Sequence, residues 1–206
     1  RALIVLGDEA SFEKVVAEVL STPTGLTPAN LLIEAAATAR AHGRPNLARE
    51  LAHRALTVLD DRADANDAVV DGWLRAQALV LADELDLAQE MLERVRSIDN
   101  GGTAFQSLGV VGWLGAVAAR RGDLETAHAV ENTLAGTDRS QMGGWPAHYR
   151  ASIAAWLGHR DQAMELLSRS QAEGWGSFYH FHDIHRVLFE PLEGMDEYEN
   201  LLHPDG

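Results

Sequence analysis

The sequence has no cysteine, which removes disulfide scaffolds, thiolate catalysis and cysteine-ligated metals together. Proline is scarce, at 6 of 206 residues, so helices meet few breakers. Strict alternation of Val, Ile and Thr with polar residues, the mark of a half-buried strand, is nearly missing. No run reaches the roughly 18 apolar residues expected of a membrane-spanning helix, and no cleavable signal opens the chain. It begins with Arg1, as expected of a piece cut from a longer protein. Positive charge is short as well, with 17 Lys and Arg against 31 Asp and Glu and a formal net charge of −14. That imbalance repels phosphate backbones and anionic lipid. Neither nucleic acid nor a membrane is expected as a partner, and the expected compartment is the cytoplasm.

Reactive signatures are missing too. The sequence carries no glycine-rich phosphate loop, Gly-x-Ser-x-Gly elbow, His-Glu-x-x-His pair or calcium-loop spacing. Asn100-Gly101-Gly102 lacks a following lysine and reads as a helix stop. No catalytic residue and no cofactor is expected, and the protein is read as a non-enzyme.

What is abundant is alanine, at 32 positions, the residue that loses least on entering a helix. An all-α chain follows. Only Arg1 to Gly7 is ambiguous, either a buried strand or the stub of a helix. Four turns recur: Ala41-His42-Gly43-Arg44-Pro45-Asn46-Leu47-Ala48, Leu81 to Ala88, Arg120 to Ala127 and Trp156 to Ala163. The closing alanines lie 40, 39 and 36 residues apart, near the period of about 34 for stacked helical hairpins. Twelve residues before each stands another small residue: Ala36, Ala76, Gly115 and Ala151. Small side chains on both partners let antiparallel helices approach closely. Gly43, Gly122 and Gly158 stand where a helix ends in a left-handed residue, with Asp83 in the corresponding slot. Pro45 suits a first helical turn and Asp123 an N-cap. Thr27-Pro28 marks the start of the first complete helix.

These turns, offsets and closing alanines resemble the tetratricopeptide-repeat family across about residues 28 to 173. Phe189-Glu190-Pro191-Leu192 with Tyr198 and Leu201-Leu202 is similar to the terminal segment of repeat regions in bacterial signalling proteins, which are often fused to serine/threonine kinases or transcriptional activators. The resemblance implies a tetratricopeptide-like, right-handed α-α superhelix. Its parts would be a partial unit over 1–27, four hairpins over 28–173 and a capping segment over 174–206, the cap covering the apolar edge of the last pair. It also implies a groove lined by one row from each first helix: Asn30, Ile33, Ala37 and Arg40; Val70, Trp73, Gln77 and Val80; Gly109, Gly112, Ala116 and Ala119; Trp145, His148, Ser152 and Ala155.

The resemblance thus implies a scaffold or regulatory module that binds a protein or peptide partner. Trp73 and Trp145 would serve as anchors, with Asn30, Arg40, Gln77, His148 and Ser152 as polar contacts. The alternative function is a ligand-sensing domain controlling an attached kinase or DNA-binding domain. The paired lysines and asparagines of a carboxylate clamp are missing, so chaperone C-terminal peptides are not the expected guest. Separately, His180, His182, Asp183 and His185 fall within six residues, a spacing that suits zinc. Interleaved Phe178, Tyr179, Phe181 and Ile184 favour an aromatic cap with histidines at its rim instead. No metal is expected.

Overall fold

Within each hairpin the first helix ends where a residue turns left-handed, and the same turn is built again and again along the chain. The computed structural model describes residues 3–4, 7–21, 28–61, 68–98, 104–137, 142–175 and 183–202. Every regular element among them is helical: α1 Glu9–Ser21, α2 Pro28–Ala41, α3 Pro45–Asp60, α4 Ala68–Leu81, α5 Leu85–Ile98, α6 Ala104–Arg121, α7 Leu124–Gly136, α8 Trp145–Trp156, α9 Arg160–Ser170, α10 Asp183–Arg186 and α11 Asp196–Leu202. A π-turn, Gln171–Trp175, extends α9, and a 3-10 turn, Val187–Leu192, follows α10.

Gly43, Gly122 and Gly158 adopt φ of +70°, +80° and +79°, and Asp83 takes the same slot at +64°. At each, the left-handed residue donates its N–H three residues back and the next residue donates five back, as in Gly43 to Arg40 and Arg44 to Ala39. Carbonyls that the helix end would orphan are thereby satisfied. The closing alanines Ala48, Ala88, Ala127 and Ala163 then donate to the carbonyl four back, starting the second helix. All four are fully buried, as are Ala36, Ala76 and Ala151. Gly115, the fourth small residue, has room for no more: an added Cβ would stand 2.6 Å from Val130 Cγ1 and 2.5 Å from Ile153 Cδ1.

A fifth copy of the turn lies at the N-terminus. Gly7 has φ of +73°, Gly7 donates to Ile4, Asp8 to Leu3, and Phe12 to Asp8. Asp8 accepts from the Ser11 N–H at 3.1 Å, just as Asp123 accepts from the Thr126 N–H at 3.1 Å. Leu3 and Ile4 are helical, so of the two readings of Arg1 to Gly7 the described residues take the helix stub; Arg1, Ala2, Val5 and Leu6 lie outside them, as does Thr27. The alanine pattern passes over this turn because Phe12 fills the alanine position.

The chain divides into two compact units, Arg1–Met91 and Leu92–Gly206, the division falling within α5. In the first unit, α1 packs on α2, α2 on α3, and α4 on both α2 and α3. Arg75 of α4 reaches back to the end of α3, pairing with Asp60 and donating to the Leu59 carbonyl at 2.8 Å. In the second unit, α6 packs on α7, α8 on both, and α9 on α8. There Arg150 of α8 reaches back to Glu131 of α7 at 3.4 Å. The 3-10 turn lies on α8, and α11 on α9.

Asp83 shows why a non-glycine is kept at a left-handed position. Its carboxylate meets Arg40 Nη1 at 2.9 Å and Arg49 Nε at 3.8 Å, tying the second turn to the first hairpin. Because this carboxylate is 38% exposed, the pairs are screened and contribute at most about 1 kcal/mol. A side chain in the left-handed region costs about as much. Asp83→Gly is therefore expected to leave stability within about 0.5 kcal/mol of wild type, whereas Asp83→Ala loses the pairs, keeps the strain and costs up to about 1 kcal/mol. Urea midpoints read both; equal midpoints for the two variants would defeat this account.

Candidate functional site

In the first unit the rows assigned to a groove lie on α2 and α4, two helices in direct contact. Half of the positions in these rows are closed: Ile33, Ala37, Gln77 and Val80 are buried. Asn30, Val70, Trp73 and Arg40 are half-buried and keep part of their surface in solvent. Arg40 is engaged by Asp83, and its Nη1 lies 3.4 Å from the Leu81 carbonyl. It therefore acts as a tether between hairpins, with its guanidinium held in place. A tryptophan and an asparagine that keep part of their surface in solvent, on two helices in direct contact, are groups of the kind that anchor a peptide side chain.

The second unit is different. His148 and Ser152, expected to line the groove, are both at 0% exposure. Ser152 donates its hydroxyl to the Tyr149 carbonyl at 2.8 Å. His148 Nε2 lies 3.1 Å from His185 Nδ1, and its ring meets Tyr149, Phe189 and Trp145 edge-to-face at centroid distances of 5.0, 5.1 and 6.4 Å. Trp145, half-buried, stacks at a tilt on Tyr149 at 5.6 Å. The chain's own C-terminal segment thus lies over this stretch of α8, so His148 and Ser152 are core groups rather than lining of an open surface. Helical spacing brings Trp145 and His148 together as expected; it gives no hint of Phe189 and His185 above them.

The electrostatics follow from that burial. The His148 imidazole is held well below its ordinary range, first by burial and then by His185. Burial pushes the phenols of Tyr149 and Tyr198 up. At neutral pH His148, Tyr149 and Tyr198 are therefore uncharged. Nearby, Arg120 of α6 stacks over Trp156 at 4.8 Å and sits 4.0 Å from Glu190 of the 3-10 turn, a second point at which the C-terminal segment is held.

Of the tail histidines, His180 and His182 lie outside the described residues, while Asp183 and His185 stand on α10. Among the described residues, no three His, Asp or Glu side chains gather to hold a metal ion. No helix among them is long and apolar enough to cross a membrane. Compared with known proteins, the chain matches no family model, no curated protein and no solved structure.

Proposed function

We propose that this chain is a non-catalytic helical-hairpin module of the tetratricopeptide type, belonging to a bacterial signalling protein, and that its first unit binds a peptide segment of a protein partner. The observation that carries this reading is half-buried Trp73 on α4, a helix packed on α2, which carries Asn30 and the tethered Arg40. The five turns of one geometry support the hairpin assignment. So does the packing of α2 on α4 and of α6 on α8, which puts first helix against first helix in each unit. The second unit offers less: Phe189 of the same chain lies on His148, where a guest would need to be. Trp73 and Asn30 therefore carry the recognition, while Gln77, His148 and Ser152, all buried, support the fold.

Selection of a displayed random-peptide library on the purified chain tests the assignment. Selected peptides are expected to lose at least tenfold in affinity, about 1.4 kcal/mol, when Trp73 becomes alanine, with the helical circular dichroism unchanged. Ser152→Ala is expected to leave affinity as it was. Peptides that bind the Trp73 variant as tightly as wild type would place the recognition surface elsewhere.

A further inference from the structure

The contact between His148 and His185 joins two elements 37 residues apart, one on α8 and one on α10. We propose that this imidazole pair is an acid-sensitive latch, which holds the C-terminal segment Asp183–Leu202 against α8 while His148 is neutral and releases it when His148 takes up a proton.

The geometry sets the rule. At 3.1 Å one ring nitrogen donates and the other accepts, so at least one nitrogen must keep its lone pair. A proton on half-exposed His185 is tolerated, because its Nδ1–H still donates to His148 Nε2. A second proton must enter the core on His148, at 0% exposure. It abolishes the acceptor and sets two cations against each other among Tyr149, Phe189 and Trp145. With the segment lifted, water reaches both rings and His148 regains an ordinary affinity for protons.

Half-buried charges on the surrounding elements are Arg120 on α6, Asp123 and Glu131 on α7, Arg150 on α8, Arg169 and Glu173 at α9, Asp183 and Arg186 on α10, and Glu190 in the 3-10 turn. Glu131, Glu173 and Glu190 each face an arginine, and Asp123 caps α7. Asp183, two residues before His185, is the carboxylate that a test must control.

The sign is that of a base whose proton affinity is lowered in the closed state. Closure is fully favoured above the ordinary imidazole value of about 6.5 and weakens as pH falls below it. With one proton taken up on opening, the opening constant rises about tenfold per pH unit. Hydrogen exchange read as protection factors on the intact chain at a series of pH values tests this. Amides of residues 187–202 are expected to lose protection about tenfold per unit below pH about 6.5, while those of α6 keep theirs. His148→Gln is expected to flatten the slope, and Asp183→Asn to preserve it. Where His148→Gln does not fold, the wild-type imidazole proton resonances decide: His148 should titrate only together with loss of protection in the segment. A flat wild-type profile, a slope abolished by Asp183→Asn, α6 amides opening in step with the segment, or His148 titrating near 6.5 under a still-protected segment would each overturn the latch.

Discussion

Phe189→Ala is expected to destabilise the second unit by about 3–5 kcal/mol. Phe189 is fully buried in a segment in which Ile184, Val187, Leu188, Leu192, Tyr198 and Leu202 are buried as well. Its ring meets His148 at 5.1 Å and Tyr198 at 6.2 Å. Truncation to a methyl opens a cavity between three elements that cannot all close on it, because Pro191 and Leu192 fix the turn and His148 is held by His185. Against a domain stability of about 5–15 kcal/mol, such a loss removes a large share. Urea denaturation followed by far-ultraviolet circular dichroism reads it. If the two units melt separately, only the transition of the second should move, and Asp83→Ala should move only that of the first. Glu190→Ala, which loses only a 4.0 Å contact with Arg120, should cost no more than about 1 kcal/mol. A Phe189 variant with unchanged midpoints would mean that the C-terminal segment does not help to hold α8 in place.

Residues 183–202 also show what a sequence discloses and what it withholds. Turns are legible because they are local. A glycine at +70° to +80° and an alanine with no room beyond its methyl each answer to their own few neighbours, so Gly43, Gly122, Gly158 and even Asp83 can be placed by chemistry alone. The turn at Gly7 obeys the same rules and is hidden only because Phe12 breaks the alanine pattern; the dipeptide Gly7-Asp8, matching Gly122-Asp123, was the signal that could have found it. Helical spacing likewise tells which residues of α8 share a face. It does not tell what covers that face. His148 and Ser152 look like polar surface in a row with Trp145, yet their burial is decided by His185 and Phe189, far along the chain. Buried polar groups need partners, and Ser152 finds one in its own helix while His148 finds one across the fold.

Gly112→Ala is expected to cost about 3 kcal/mol or more, although alanine is the better helix former by about 1 kcal/mol. The reason is that an added Cβ on α6 would overlap the ring of Tyr149, at Cγ and both Cδ atoms. That ring cannot swing aside: it is fully buried, with Trp145 at 5.6 Å and His148 at 5.0 Å. Either α8 must move off α6, or the aromatic cluster under the C-terminal segment must repack. Gly115→Ala, one turn further along the same helix, meets Ile153 Cδ1 at 2.5 Å and Val130 Cγ1 at 2.6 Å. The isoleucine terminus can rotate away but the branched Val130 gives less readily, so the cost there is about 2 kcal/mol, smaller than where a whole ring is overlapped. Gly136→Ala, in α7 with nothing within 4 Å of the new methyl, meets no obstacle and should gain up to about 1 kcal/mol. The three substitutions add the same atom and the same intrinsic helix preference, so their spread isolates what lies opposite each glycine. Urea midpoints should rank Gly136→Ala above wild type, then Gly115→Ala, then Gly112→Ala. A Gly112 variant as stable as the Gly136 one would show that Tyr149 does not lie against the α6 backbone, and with it the aromatic layer that binds α8 to the C-terminal segment would lose its foundation.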